Sequence, residues 1–212
     1  MLDPMDSDLI RESLKPFSIG QEPSDVQVLQ LSTYLDLLLK WNAKMNLTSI
    51  RDREAIVQRH FGESLFAASL IAKNCVEAQS LGDIGSGAGF PGLPIKIAIP
   101  RLNVTLIESR QKKATFLREV IRELKLSGAQ VVNTRAESLK QAWDIVTLRA
   151  VESFDNALQI ASRLVRSGGS LVLLIGAEQT KKAASLLPEF NWNGPVPTPM
   201  SDQRVIFVGR NG

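Results

Sequence analysis

The hydrophobic pattern changes character partway along the chain. Up to residue 75 the apolar positions recur at helical spacing; beyond it, short apolar runs alternate with helical stretches. Residues 1–20 read as a short amphipathic start that ends in Pro16 and Gly20. Ser24 or Asp25 then caps a long helix whose apolar stripe is Val28, Leu31, Leu35, Leu38, Leu39 and Trp41, and which should close near Met45 and Asn46. From Arg51 to Lys73 the same periodicity predicts one or two further helices, interrupted near Gly62.

From Gln79 the pattern predicts strands over 79–84, 102–108, 130–133, 143–149, 169–175 and 203–209, with a weaker one over 190–196. Helices are predicted over 93–99, 111–125, 155–166 and 178–187. Such alternation argues for an α/β protein with a parallel, doubly wound, Rossmann-like sheet. Ser167-Gly168-Gly169 reads as the C-cap of a helix before a buried strand, and Arg204 to Val208 as an edge strand reached by a proline-rich loop. The leading helices are too few to enclose a large core of their own. Residues 1–75 are therefore expected to be an N-terminal helical cap packed on a domain formed by residues 76–212.

Composition narrows the class. The 212 residues are 44% hydrophobic and 22% charged, a globular balance, and no apolar run approaches a membrane span. The N-terminus, Met-Leu-Asp-Pro-Met-Asp-Ser-Asp, is acidic where a signal peptide is basic. One cysteine, Cys75, allows no internal disulfide and reads as an inert thiol in an apolar helix. A cytoplasmic protein, expected as a monomer, fits these features. A net charge of +3 permits a polyanionic partner without demanding one. A single histidine and a single cysteine leave no convincing metal site.

The chemistry is concentrated in Leu81 to Pro94, where an apolar run ends on Asp83 and Gly85, Gly87 and Gly89 follow at alternate positions. Alternate glycines after a strand let the backbone turn sharply and approach a ligand closely. The next apolar run, Val104-Thr-Leu-Ile-Glu108, ends on an acid placed to accept hydrogen bonds from ribose hydroxyls. The third glycine comes one residue too early for a dinucleotide fingerprint, which disfavours a nicotinamide oxidoreductase. An acid-x-Gly-x-Gly-x-Gly loop with an acid after the next strand resembles motif I of class I S-adenosylmethionine-dependent methyltransferases.

Further candidates follow from their place at the carboxyl ends of strands. Ala136 and Glu137 fall where the adenine of a bound nucleoside lies, or else on a solvated loop. Arg149 ends the fourth strand, either as a solvated strand end or as a group that holds a phosphate or the cofactor. Basic residues gather at Lys40, Lys44, Arg51, Arg53 and Arg59 and again at Arg110, Lys112, Lys113, Arg118 and Arg122, for RNA or simply for solubility. His60 reads as a packed structural residue. No Pro-Pro-aromatic run follows the fourth strand, as an amine acceptor would want, and no cysteine follows the glycine loop, as a pyrimidine carbon would need. A ring nitrogen with a free lone pair, such as guanine N7, requires neither device.

Several of these residues resemble one family closely, that of ribosomal RNA small-subunit methyltransferase G, also called glucose-inhibited division protein B. The features are Lys40-Trp41-Asn42, Asn46-Leu47-Thr48, His60 before Glu63-Ser64, Asp83 to Gly92, Glu108-Ser109, Arg135-Ala136-Glu137 and Arg149-Ala150. The resemblance implies transfer of a methyl group from S-adenosyl-L-methionine to N7 of a guanine in the decoding-region loop of 16S rRNA, free or within the small ribosomal subunit. It implies cofactor contacts at Gly85, Gly87, Phe90, Glu108, Ser109, Ala136, Glu137 and Arg149, with Arg149 also at the reaction centre. It implies RNA contacts at Lys40, Lys44, Asn46, Arg51 and Arg135. Two positions depart from the family pattern: Glu63 stands where an aspartate is usual, and Leu148 where a serine is. The competing readings are a small-molecule methyltransferase and a non-catalytic RNA- or ribosome-binding protein of the same fold.

Overall fold

The computed structural model describes residues 4–18, 22–149 and 153–212; Gly20 and Ala150 lie outside them. The helical part comprises α1 (Pro4–Leu14), α2 (Asp25–Asn42), α3 (Arg53–Ile56) and α4 (Glu63–Asn74). Ser24 is the N-cap of α2: its hydroxyl accepts from Gln27 N while Gln27 Oε1 accepts from Ser24 N at 2.9 Å, a reciprocal capping box. The helix stops at Asn42, earlier than the apolar stripe suggests, because Asn42 turns its side chain onto the loop that follows. Asn42 Oδ1 accepts from Leu47 N at 2.8 Å and Thr48 N at 3.0 Å, and its Nδ2 donates to Thr48 O. The interruption expected near Gly62 is instead a π-helical turn, Val57–Gly62, that carries the chain from α3 into α4 without a break. Gly62 is required there by packing, since a Cβ would lie 2.5 Å from Phe17 Cδ2.

The sheet part runs β1 (Ser80–Ile84), α5 (Gly92–Ala98), β2 (Asn103–Ile107), α6 (Gln111–Glu123), β3 (Ala129–Val132), β4 (Trp143–Arg149), α7 (Phe154–Arg163), β5 (Val165–Gly176), α8 (Thr180–Leu186), β6 (Phe190–Trp192), β7 (Val196–Pro197) and β8 (Arg204–Asn211). Its strand order is β3-β2-β1-β4-β5-β8-β6, with β7 also on β8. Strands β1 to β5 are parallel and β8 is antiparallel to β5. The helices α1, α2, α4, α5 and α6 pack their apolar faces against one side of this sheet in a single core that includes Leu35, Phe61, Leu81, Phe116, Ile145 and Val172. Helices α7 and α8 cover the other side, where Val146, Leu148, Leu158, Leu171, Ala183 and Phe207 meet.

Three details of the sequence reading are corrected. Strand β8 is interior, paired with β5 on one edge and with β6 and β7 on the other, so its apolar run Val205 to Val208 is buried on both faces. Gly168, at φ 71°, does not cap α7. That helix has already ended at Arg163, and the glycine lies within β5 where the pairing with β4 shifts register between Trp143 and Ile145. The shift turns Trp143 toward the face of Val146, where its ring covers Gly82; a Cβ at Gly82 would lie 2.7 Å from it. Cys75 is not in a helix but follows α4, half-buried, with its Sγ 3.5 Å from Ser170 Oγ.

Candidate active site

The carboxyl ends of β1, β2 and β4 meet beneath the α2–α4 side of the molecule. Gly85, Gly87 and Gly89 have φ of 65°, 58° and 95°, all in the left-handed region that side chains avoid. Two bonds tie the turn to the neighbouring strand, Gly85 N and Ser86 N donating to Ile107 O at 2.9 and 3.1 Å. From the other side the Tyr34 hydroxyl, fully buried on α2, donates to Ala88 O. The glycines differ in what surrounds them. A Cβ on Gly89 would strike the Tyr34 hydroxyl and lie 2.5 Å from Leu93 Cδ1, whereas one on Gly87 would meet only Gly85 O, at 3.7 Å. Open space over Gly87 is what a ligand lying on the loop requires.

One carboxylate stands beside that space and another lies under the loop. Glu108 follows β2 and is nearly buried; its Oε2 accepts from Gly87 N at 3.0 Å and its Oε1 from Arg110 N at 2.7 Å, which leaves further lone pairs for hydroxyl donors. Asp83 is fully buried beneath the loop. Thr147 Oγ1 donates to its Oδ1 at 2.7 Å and Gly92 N to its Oδ2 at 3.3 Å. Burial dominates these bonds and pushes its carboxyl up to about 6. A cation placed nearby would favour the ionised form.

Arg149 is drawn inward, its side chain 11% exposed. One terminal nitrogen donates to Arg59 O at 2.8 Å, to His60 Nδ1 at 3.2 Å and to Glu63 Oε2 at 3.0 Å. The other oxygen of Glu63 accepts from Arg204 Nε at 2.5 Å. Because Arg149 donates to Nδ1, the proton of a neutral His60 sits on Nε2 and is donated to Thr48 Oγ1 at 2.8 Å. Burial, and then the charges of Arg149, Arg59 and Arg204, lower the His60 pKa to about 3. The imidazole is thus neutral at physiological pH. It stacks on Phe90 with ring centres 4.8 Å apart.

The sequence-predicted residues divide accordingly. Gly85, Gly87, Glu108 and Arg149 gather on the loop and strand ends just described, with Ser109 exposed next to Glu108. Ala136 opens a short 3-10 turn, Ala136–Ser138, beyond β3, with Arg135 and Glu137 exposed on it. Phe90 is 8% exposed and belongs to an aromatic core with Tyr34, Phe61 and His60 instead of presenting an open ring. Lys40, Lys44, Asn46 and Arg51 are exposed around the loop that Asn42 folds. Arg53 is committed to Asp36 at 3.0 Å and Arg122 to Glu123 at 2.7 Å.

The residues that sequence reasoning missed are those that hold Arg149. Glu63 uses its two oxygens to bridge the guanidinium groups of Arg149 and Arg204. Arg204, at the start of β8, carries only the weak signal of a charge at the head of an apolar strand. Leu148 faces the opposite core from Arg149, so a hydroxyl missing there does not touch the site. Among the described residues no group of three or more His, Cys, Asp or Glu side chains could hold a metal ion, and no helix is long and apolar enough to cross a membrane.

Comparison with known proteins gives a consistent result. A model of the family described as rRNA small subunit methyltransferase G matches residues 27–197. Ribosomal RNA small subunit methyltransferase G of Desulfitobacterium hafniense is 40% identical over 178 residues, covering 78% of this chain and 72% of that protein. The protein of the same description from Xylella fastidiosa is 41% identical over 167 residues, covering 78% and 76%. Among solved structures, ribosomal protein L11 methylase from Lactobacillus delbrueckii superposes with a TM-score of 0.59 at 14% identity, covering 71% of this chain and 80% of that one, a likeness of fold.

Proposed function

Because the chain belongs to the rRNA small subunit methyltransferase G family, we propose that it transfers the methyl group of S-adenosyl-L-methionine to N7 of a guanine in the decoding-region loop of 16S rRNA. Methylation of small-subunit rRNA with this donor follows from the family. The atom and the loop are the finer reading.

One observation carries the choice of N7. The side chains bonded to Arg149 are already engaged, and Asp83, whose carboxyl is pushed up to about 6, is fully buried beneath the glycine loop with Thr147 and Gly92 bonded to its two oxygens. His60 has its pKa near 3 and its Nδ1 occupied by Arg149; Glu63 spans two arginines. An acceptor with a proton to lose would find no base among them, whereas guanine N7 presents a lone pair and no proton. Catalysis then rests on alignment and exclusion of water.

The donor supplies an electrophilic methyl on a sulfonium centre. The open space over Gly87, the lone pairs of Glu108 and the buried carboxyl of Asp83 fit a nucleoside that carries positive charge. In this reading Gly85 and Gly87 leave room for its methionine and ribose, and Glu108 and Ser109 accept and support the ribose hydroxyls. Ala136 and Glu137 flank the adenine. Phe90 acts at one remove, by seating His60. Arg149 stands between donor and target. Lys40, Lys44, Asn46, Arg51 and Arg135 take the RNA, with residues 1–75 serving as a cap on residues 76–212.

The test is methyl transfer from labelled donor to 16S rRNA, free and within small subunits, followed by mass mapping of the modified nucleotides. N7-methylguanosine in the decoding loop is expected, at a rate that rises little with pH above neutrality. Label on another atom, or a log-linear rise with pH, would overturn the assignment to N7.

A further inference from the structure

We propose that Arg59 and Arg204 form a receptor for a backbone phosphate of the RNA, in a recess of about 200 Å³ on the acceptor side of Arg149. The proposal rests on the RNA-methylating function above and deepens it. Phe17, Gln58, Arg59, Glu63, Met200 and Arg204 are among the residues that line the recess.

Charge is the first argument. The guanidinium groups of Arg59 and Arg204 both act on Arg149, and all three act on His60, beside the carboxylate of Glu63. Three positive charges and one negative leave two in excess. Asp83 offsets only Arg149, from beneath the glycine loop. Glu63 holds Arg204 by Nε alone, and the two terminal nitrogens of Arg204 bond to nothing among the described residues. The Arg59 guanidinium is exposed and likewise without a partner among the described residues; only its carbonyl is used, by Arg149. A planar donor pair left open next to a second guanidinium suits the oxygens of a phosphodiester.

Position is the second. Arg204 opens β8 opposite Gly176, at the carboxyl end of β5. In the order β2-β1-β4-β5-β8, the glycine loop and Glu108 lie to one side of Arg149 and the recess to the other. An anion bound there belongs to the methyl acceptor and not to the donor's carboxylate. At the rim stands Met200, 61% exposed with φ 57°, a conformation that side chains seldom adopt. An apolar side chain held beside two cations matches a nucleotide, which offers a charged phosphate and a flat apolar base together.

The experiment compares the parent protein with Arg59→Ala and with Met200→Glu, both changes of exposed side chains that leave the Glu63 bridge intact. Affinity for 16S rRNA is measured across a salt series, and donor affinity by calorimetry. Both variants should bind RNA at least about fivefold more weakly, and Arg59→Ala should flatten the log-affinity against log-salt slope by roughly 0.7–0.9. Donor affinity should stay unchanged. Parental RNA affinity and slope in both variants would overturn the recess alone, provided the parent methylates rRNA. Loss of donor affinity in Arg59→Ala would instead make this the seat of the cofactor's carboxylate and also overturn the proposal. A parent that methylates no small-subunit rRNA would sink the functional reading and the recess with it.

Discussion

Arg149 reaches three acceptors through one terminal nitrogen, whose two hydrogens they share, and the rigid guanidinium plane fixes where that nitrogen sits. Lysine keeps the charge but offers one compact ammonium on a flexible stem. Arg149→Lys should therefore fold, since Arg204 still matches Glu63, yet lose at least about tenfold in methyl transfer, roughly 1.4 kcal/mol of barrier. Single-turnover assays beside urea melts check this, and parental turnover would refute it. His60 gives a pH signature. Its pKa lies below the unfolded value of 6.5, so the unfolded chain takes the proton first. The stability it contributes is complete above that pH and is lost as pH falls toward 3. Asp83, raised to about 6 from 3.8, works in the opposite sense between those values, so the His60 effect must be read as a difference. Between pH 7 and 5 the parent should lose about 2 kcal/mol more stability than His60→Gln. Equal losses in urea titrations would show that the ring is not held neutral.

At the scale of elements, the β1–α5 turn shows how one repeated residue serves two ends. All three glycines are left-handed, but Gly89 is also enclosed while Gly87 is open above. Gly89→Ala must move Tyr34 or Leu93 as well as accept backbone strain, and should cost about 2–5 kcal/mol of stability. Gly87→Ala bears only the strain, about 1–2 kcal/mol, and its methyl occupies the ligand's space, so it should lose donor affinity more than stability. Thermal melts paired with calorimetry separate the two; a reversed ranking would mean the open space is not the donor's. The turn was legible because alternate glycines after a strand are a local signal. Gly168 misled for the same reason. Helix termini and strand irregularities both use left-handed glycines, and only the shifted pairing of β4 with β5 distinguishes them.

Across the whole molecule, the helices before β1 and the strands after it are joined by one continuous core on the side of the sheet where Asp83, Thr147 and Arg149 stand. The sequence by itself determined the alternating α/β order, the bounds of most strands and helices, the glycine loop and its partner acid. Each of these depends on periodicity or turn chemistry within a few residues, and such signals are written locally. It could not determine that β8 is interior, because an apolar run suits an edge or a centre until its neighbours are known. Nor could it determine that Arg149 points inward, since Glu63 and Arg204, which settle its place, lie 86 positions from Arg149 and 141 positions from Glu63 respectively. The neutrality of His60 and the raised pKa of Asp83 likewise arise from burial. Desolvation and long-range ion pairing are set by what packs against a group, and only the tertiary structure decides that.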